Sequence, residues 1–306
     1  MKLIPENTRI DFIGVRLPAA LFSGLLIVIS LVSLLVKGGP NYGIDFEGGT
    51  LIQLTFKESA DLAKIRATLD TLGLGDYSVQ RFGDEKDVLI NIERSEEGTG
   101  PTAAEQAQEA LAAAFGDTYE VDRVEMVGPK VGADLRSKAL MAMLYAMIGI
   151  LIYVTLRFEF RFGVAAVTAL AHDAIITIGA FSVTDKEFTL TVLAALLTII
   201  GYSLNDTIVI FDRVREDLKI KRGMALVDVL NLAINQTLSR TILTSGLTLM
   251  VVLSLFFLGG EVIHDFAFAM VVGIVIGSYS TVYIASPILL LFEKKKAPKQ
   301  NAPVGA

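Results

Sequence analysis

The residues of this chain best suited to chemistry are two opposite charges inside apolar segments. Asp206 follows an almost purely apolar run, 189–200, and Arg240 opens the next apolar segment. An ionisable group at the centre of a membrane-spanning helix costs roughly 2.5–3.5 kcal/mol on insertion scales, so chains keep one mainly where it serves a function. An acid and a base at matched depth on consecutive helices therefore predict a proton or ion relay.

Other polar residues recur along the apolar segments and are expected to turn inward onto a shared polar core, because lipid rejects them. Asn205 adjoins Asp206, and Asp173 lies near the middle of the third apolar segment. Both are therefore candidates to support the relay. On the fifth segment the polar residues Gln236, Arg240, Thr244 and Thr248 form one helical stripe with a period of four. The stripe is widened by Thr237, Thr241 and Ser245.

Each of these residues also has a purely structural interpretation. Asp206 and Arg240 could form a static link between helices, or Arg240 could reach the inner headgroups with its long side chain. Stripes of Ser and Thr often only join helices. Asp173 could simply accept hydrogen bonds from neighbouring Thr or backbone groups, and we expect His172 to be structural rather than a proton shuttle.

The composition excludes a soluble enzyme. Of 306 residues 53% are hydrophobic, and the mean hydropathy of +0.57 is typical of an integral membrane protein surrounded by lipid. Cysteine is absent and the two histidines lie far apart, so neither a disulfide framework nor a metal site is expected. The sequence contains no cofactor motif and no basic patch for nucleic acid.

Six apolar stretches are each long enough to cross a bilayer, which takes about 20 helical residues. The short loops on one side hold fourteen Lys and Arg, and those on the other side hold only Lys186. This asymmetry predicts that both termini are cytoplasmic. The first stretch is expected to be an uncleaved anchor, because it is longer than the apolar core of a signal peptide. The stretches are 18–36, 139–156, 163–183, 188–211, 238–258 and 265–292.

The spans divide the chain into four regions. A cytoplasmic N-terminus and the first span occupy 1–37, an exported segment 38–137, five further spans 138–292, and a basic cytoplasmic tail 293–306. The exported segment holds 9 basic and 19 acidic side chains, a net charge of −10. It is therefore predicted to be an acidic, water-soluble domain.

The segment 38–137, which we call the α+β domain, alternates between strand and helix patterns. Alternating apolar residues predict four strands, and helical periodicity predicts two helices. The order βαββαβ is typical of the ferredoxin-like fold. The predicted fold is thus a six-span α-helical membrane protein with an extracytoplasmic α+β domain between helices 1 and 2. The strands are predicted at 50–56, 77–82, 87–92 and 119–127, and the helices at 61–72 and 102–115.

Two glycine-rich segments border the α+β domain. The first, the glycine motif, predicts a tight turn into the first strand or, alternatively, a surface for a substrate or partner. Its spacing excludes a dinucleotide-binding motif. The second segment is interpreted as a hinge to the second span, formed by Gly128, Pro129 and Gly132. The residues of the glycine motif are Gly43, Asp45, Phe46, Gly48 and Gly49.

Six spans with a large domain after the first resemble one half of a two-fold transporter, so a matching half from another chain is expected. Five motifs together resemble those of the SecF family over essentially the whole chain. The resemblance implies membership of the resistance–nodulation–division superfamily and a location in the bacterial inner membrane. The motifs lie at 43–49, 127–132, 171–173, 201–207 and 239–241.

The same resemblance implies partners and an activity. SecF-family proteins pair with SecD, associate with the SecYEG channel and use the proton-motive force to complete preprotein export after the SecA-driven steps; YajC and YidC are further implied partners. Protons are then the coupling ion, with no other cofactor. The intramembrane acid and arginine of the family map onto Asp206 and Arg240, and Thr244 is a third relay candidate.

These expectations combine into a proton-driven conformational motor rather than a chemical catalyst. Ionised Asp206 is expected to pair with Arg240, and protonation from outside to remove the pair and favour another helix packing. Two other functions stay open. One is a non-transporting scaffold that holds SecD and the channel together. The other is a half-transporter for small molecules, against which the short α+β domain argues.

Overall fold

The structure, a computed structural model, describes residues 8–75, 77–81, 83–92 and 102–293. The predicted basic tail, apart from its first residue, lies outside the described residues.

The first long helix, α1 (Arg16–Val36), leads into the α+β domain. The predicted order βαββαβ is confirmed, and one short helix precedes it. The elements of the domain are α2 (Ile44–Glu47), β1 (Gly49–Phe56), α3 (Leu62–Asp70), β2 (Tyr77–Arg81), β3 (Asp87–Ile92), α4 (Ala103–Phe115), a 3-10 turn (Gly116–Thr118) and β4 (Tyr119–Val127).

The four strands form one antiparallel sheet in the order β2-β3-β1-β4. Side chains of β1 alternate between a buried and a less buried face, as a period of two requires. Ile52, Leu54 and Phe56 on the buried face pack with Ile65 of α3 and Leu111 of α4. The domain therefore has a hydrophobic core of its own, and the opposite face of the sheet is left open.

Both helices of this core begin at caps that the sequence encodes. Asp61 accepts hydrogen bonds from the backbone N–H groups of Ala63 and Lys64, each at 3.1 Å. Thr102 and Glu105 form a reciprocal capping box at the start of α4. Because such a cap stabilises a helix by ~1 kcal/mol, these two starts are fixed by local sequence.

After β4 the chain forms the membrane bundle. With α1, these helices give six segments that are long and apolar enough to cross a membrane among the described residues, as predicted. The elements are α5 (Pro129–Arg157), α6 (Phe160–Val183), α7 (Leu190–Ile220), α8 (Leu226–Leu258), α9 (Glu261–Ser280), a π-helical turn (Thr281–Ala285) and α10 (Ser286–Leu291).

Helices α7 and α8 are longer than the predicted spans. The segment 212–237, expected to connect the fourth and fifth spans, is helical except for a turn at 221–225. The 31 residues of α7 extend about 46 Å, well beyond a hydrocarbon core of roughly 30 Å. The apolar-length rule misses such extensions because a helix can continue into water once its residues become polar.

Three helices occupy the centre of the bundle. The most apolar stretches of α6, α7 and α9 are buried over half or more of their residues, whereas those of α1, α5 and α8 are buried over only 11%. Both candidate acids belong to the central set, Asp173 on α6 and Asp206 on α7.

The segment before α1 is fixed against α8 by two asparagines, an arrangement we call the N-terminal clamp. Asn235 binds both the backbone N–H and the C=O of Ile10, at 2.9 and 2.8 Å. The side-chain oxygen of Asn231 accepts the N–H of Ile13 at 2.9 Å. Ile13 is fully buried in the same apolar cluster as Leu230. The clamped segment is therefore an integral part of the bundle.

Candidate functional site

Asp206 lies on α7 with 9% of its surface exposed. Its Oδ1 accepts a hydrogen bond from Thr241 Oγ1 on α8 at 2.6 Å. Its Oδ2 is buried and receives no hydrogen bond from the described residues. Helices α7 and α8 thus meet at Asp206 and Thr241, and one carboxylate oxygen remains free for a proton or another partner.

Arg240 does not form the predicted direct pair with Asp206. Among the described residues no ion pair within 4.0 Å joins them, although the guanidinium charge still acts on the carboxylate through space. Arg240 is exposed, whereas Thr241 is buried. Consecutive helix residues point about 100° apart, so only one of these two can face α7. That residue is Thr241.

The polar stripe of α8 also points away from the centre of this chain. In the chain alone the prediction that the stripe turns inward is wrong for Gln236, Arg240 and Thr244, whereas Thr237 and Thr241, which widen the stripe, are buried. Exposed polar groups on membrane helices are unfavourable against lipid, so this surface needs cover from protein or water. We call it the open polar face, formed by Gln236, Arg240 and Thr244; Asn205 of α7 is also exposed.

Asp173 is more deeply buried than Asp206, with 1% of its surface exposed. Its Oδ2 accepts hydrogen bonds from Ser203 Oγ on α7 at 2.7 Å and from Ser280 Oγ on α9 at 2.9 Å. These contacts fit the structural interpretation, with serines as the donors instead of the expected threonines. Asp173 joins the three central helices at one point, and its part in a relay stays a prediction.

His172 lies beside this cluster. Its Nδ1 is 3.0 Å from Asp173 Oδ1, and its ring stacks on Tyr279 with the centroids 6.4 Å apart. Nε2 is buried and has no hydrogen-bond partner among the described residues. A stacked ring with one unpartnered nitrogen fits the structural role that we expect, because a shuttle needs a partner on both sides.

The sequence patterns assign no role to several hydroxyl residues next to the two acids. Besides Ser203 and Ser280, Thr207 and Thr281 form a hydrogen bond between their hydroxyl oxygens at 2.9 Å. Thr281 opens the π-helical turn of the sixth span, a feature frequently found at functional sites. Each of these hydroxyls lies at the same height in the bundle as an acid or a hydroxyl on a neighbouring helix. The sequence of a single helix cannot reveal that relation.

The glycine motif connects the α+β domain to the start of α7. Asp45 Oδ2 accepts a hydrogen bond at 2.8 Å from the backbone N–H of Leu190, the first residue of α7. Gly48 and Gly49 have φ angles of +82° and +132°, which glycine adopts without steric cost. They make the predicted turn into β1. The short helix α2, which holds Asp45, is the part that the sequence did not predict.

The predicted hinge lies at the start of α5. Gly128 is extended, and Pro129 is the first helical residue, a position that proline favours. Gly132 is already inside the helix, and a Cβ there would lie 2.9 Å from the carbonyl oxygen of Phe46. This glycine therefore allows α2 to pack closely on α5. Movement at the hinge stays a prediction.

Comparison with known proteins identifies the family. A profile described as the C-terminal part of protein export membrane protein SecD/SecF matches residues 107–295, and one described as the SecD/SecF GG motif matches 32–60. Protein translocase subunit SecF of Calditerrivibrio nitroreducens is 48% identical over 96% of this chain and 97% of its own length. Protein translocase subunit SecF of Magnetococcus marinus is 50% identical over 96% of this chain and 95% of its own length. This chain belongs to the SecF family.

Solved structures share the fold of this SecF-family chain. The crystal structure of SecDF, a translocon-associated membrane protein from Thermus thermophilus, matches 95% of the chain with a TM-score of 0.85 and 36% identity. A SecDF crystal structure in a super-membrane-facing form matches the same share with a TM-score of 0.68 and 35% identity. The chain spans 39% of each SecDF chain, so those proteins contain a further region.

A cleft of about 400 Å³ lies between the open face of the sheet, the loop that precedes α7 and the first turns of α9. Beside it, Glu187 accepts a hydrogen bond from Gln80 Nε2 of β2 at 3.1 Å, and Lys186 pairs with Asp265 at 2.6 Å. Burial raises the pKa of the Glu187 carboxyl by more than the hydrogen bond from Gln80 lowers it. Within the described ranges, no group of three metal-ligating side chains is found.

Proposed function

We propose that this SecF-family chain pairs with SecD and uses the proton-motive force to promote late preprotein translocation through SecYEG, after the SecA-driven steps. The observation that carries the proposal is the Asp206 carboxylate, buried in the bundle with one oxygen bound by Thr241 and the other free. The relatives are named protein translocase subunits, which supports protein as the cargo.

Asp206 is the proton carrier in this proposal. In the ionised state Thr241 donates to the carboxylate and the charge of Arg240 attracts it. Protonation from the outer side cancels the attraction, so α7 and α8 can adopt another packing, and release of the proton inside restores the first state. A membrane potential of about 100 mV supplies roughly 2.3 kcal/mol per charge moved, enough to bias two such states.

The output is movement rather than bond chemistry, so the chain acts as a motor subunit with protons as the only coupling ion. The two SecDF structures support a mobile fold. Each matches 95% of this chain at almost equal identity, yet their TM-scores of 0.85 and 0.68 differ. Two structures that match one chain so unequally differ from each other in shape.

The open polar face supports a membrane partner. Polar side chains on α7 and α8 are uncovered in the chain alone, and SecD is the partner proposed to cover them. The larger size of the solved SecDF chains is consistent with such a second half. SecYEG, YajC and YidC follow from the family resemblance. We place the complex in the bacterial inner membrane with both termini of this chain cytoplasmic, as the basic loops favour.

The test is preprotein release into inverted membrane vesicles after ATP is exhausted, with and without a proton gradient, at matched SecD and SecYEG levels. We expect the gradient to stimulate release in wild type and not in Asp206→Asn, because the amide cannot carry the proton. Asp212→Asn is the matched control. It makes the same change six residues further along α7, at an exposed carboxylate 3.9 Å from Arg157, and should behave as wild type.

The outcome separates a motor from a scaffold. If wild type and Asp206→Asn respond equally to the gradient, the carboxylate is structural and the chain only holds the complex together. If neither wild type nor any variant responds, the proton-driven proposal fails as a whole.

A further inference from the structure

We propose that Asp45 is a positioning residue that couples movement of α7 to the α+β domain. The inference rests on the function proposed above, because it assumes that α7 moves when Asp206 changes its protonation state.

The first observation is that α7 receives a cap from outside the bundle. The first N–H groups of any helix lack partners within the helix and carry a partial positive charge, which a carboxylate satisfies well. Here Thr189 accepts the N–H of Val192 at 3.4 Å, and Asp45 accepts the N–H of Leu190 at 2.8 Å. The closer of the two caps therefore belongs to the glycine motif, 145 residues earlier in the chain.

The second observation is that Asp45 is held firmly on both sides. The ring of its neighbour Phe46, 2% exposed, lies 5.8 Å from that of Phe188, just before α7. The N–H of Gly43 donates to the carbonyl of Phe188 at 3.1 Å, and the N–H of Phe188 donates to the carbonyl of Asn41 at 2.6 Å. Side-chain and backbone contacts thus attach the motif to residues 188–190.

The third observation is that the connection between α2 and the sheet is very short. Gly48 and Gly49 follow α2 directly, and β1 begins at Gly49. On the membrane side, Leu190 and Asp206 lie on the same unbroken helix, about 24 Å apart at 1.5 Å per residue. A shift of α7 at Asp206 is therefore transmitted to Leu190, and through Asp45 to the central strand β1.

The experiment removes each side of this contact separately. Asp45→Ala removes the acceptor. Leu190→Pro removes the donor while keeping the helix, because proline is favoured at the first helical position and Thr189 already has the extended backbone that a following proline requires. Asp45→Asn keeps an acceptor oxygen and is the conservative variant. Asp61→Ala, which removes an equivalent cap from α3, is the matched control.

Two quantities are measured in vesicles that contain the full complex: gradient-driven proton uptake and gradient-dependent preprotein release. We expect Asp45→Ala and Leu190→Pro each to keep proton uptake and to lose about fivefold in gradient-dependent release, the population shift typical of one lost helix cap. The double variant should lose no more than either single variant, because both remove the same contact. Asp45→Asn should retain most of the release, and Asp61→Ala should match wild type in both measurements.

Four outcomes overturn the inference. They are wild-type release in Asp45→Ala, loss of proton uptake together with release, equal losses in Asp45→Ala and Asp61→Ala, and additive losses in the double variant. Failure of the proposed function looks different, because gradient-dependent release would then be missing from wild type itself. If Asp45→Ala assembles poorly, the comparison of Leu190→Pro with wild type still decides the question.

Discussion

Thr241, rather than its charged neighbour, is the residue that α8 places against Asp206. The hydroxyl is small enough to be buried at 6% exposure, and it satisfies one carboxylate oxygen. The Arg240 side chain stays at the open polar face, where its charge acts from a distance. The carboxylate thus has one oxygen bound by Thr241, and its other oxygen has no partner among the described residues.

Replacing Thr241 by valine, which has almost the same shape, should impair the proposed motor. A hydrogen bond to a charged group contributes about 1.5–3 kcal/mol, so its loss depletes the ionised, α8-bound state by roughly tenfold or more. We expect gradient-dependent release to fall about tenfold in Thr241→Val and to remain near wild type in Thr241→Ser. Initial rates of release in vesicles measure both effects.

Thr237→Val controls for the loss of a buried hydroxyl on the same helix. Thr237 lies one turn before Thr241, and within the part of the chain that the structure describes its hydroxyl donates only to the carbonyls of Ala233 and Ile234 in its own helix. Equal losses in both valine variants would assign the effect to α8 itself and not to its contact with Asp206.

At the scale of elements, local sequence predicts most of the architecture, because strand and helix periods are local properties. The strand Asp87–Ile92 and the helix Ala103–Phe115 lie where the patterns predict them. The rotation of α8 about its axis could not be predicted, since both Arg240 and Thr241 suit a polar core. The contact of Asp45 with Leu190 could not be predicted either, because no local pattern relates residues 145 positions apart.

At one point the packing of α1 on α6 requires a glycine, Gly179. A Cβ at Gly179 would lie 2.8 Å from the Cα of Ser30, closer than such atoms approach. Gly179→Ala should force the two helices apart and destabilise the bundle by about 1–3 kcal/mol, the usual cost of overpacking. Thermal unfolding of the purified complex in lipid nanodiscs measures this change.

Gly24→Ala is the matched control on the partner helix. No atom lies within 4 Å of a Cβ at Gly24, so this alanine adds no clash in α1. A variant Gly179→Ala that unfolds at the wild-type temperature would show that α1 and α6 are free to separate at no cost.

At the scale of the whole molecule, the α+β domain contacts the bundle around a cleft. One contact is the cap on α7, and another is made by Glu187, which contacts Gln80 of the sheet. Burial disfavours the ionised form of Glu187, and the nearby Asp265 adds to this effect. The contact between the two units is therefore sensitive to the pH of the compartment that the cleft faces.

Because the folded state raises the pKa of Glu187 above 4.5, its usual value, the folded protein binds this proton more tightly than the unfolded chain. The contribution of Glu187 to stability is then fully present below pH 4.5 and is lost as pH rises through the raised pKa. Glu187→Gln mimics the protonated side chain and should unfold at a higher temperature than wild type at pH 7.5, with a smaller difference at pH 4.5.

The exposed carboxylate of Glu58 serves as the comparison, because Glu58→Gln makes the same chemical change at a side chain that is open to water. Thermal unfolding of the complex at several pH values provides the curves. A difference between Glu187→Gln and wild type that grows as pH falls would reverse the assigned sign.

The N-terminal clamp also bears on how the chain is made. Ile10 and Asn235 are 225 positions apart, so at about 5–20 residues per second the ribosome needs roughly 11–45 s to supply the second after the first. Throughout that interval α1 can already span the membrane, but Ile10 and Ile13 still lack their partners, Asn235 and Asn231. Ile10 and Ile13 are thus synthesised long before they can dock, and their docking has to wait for the first turns of α8.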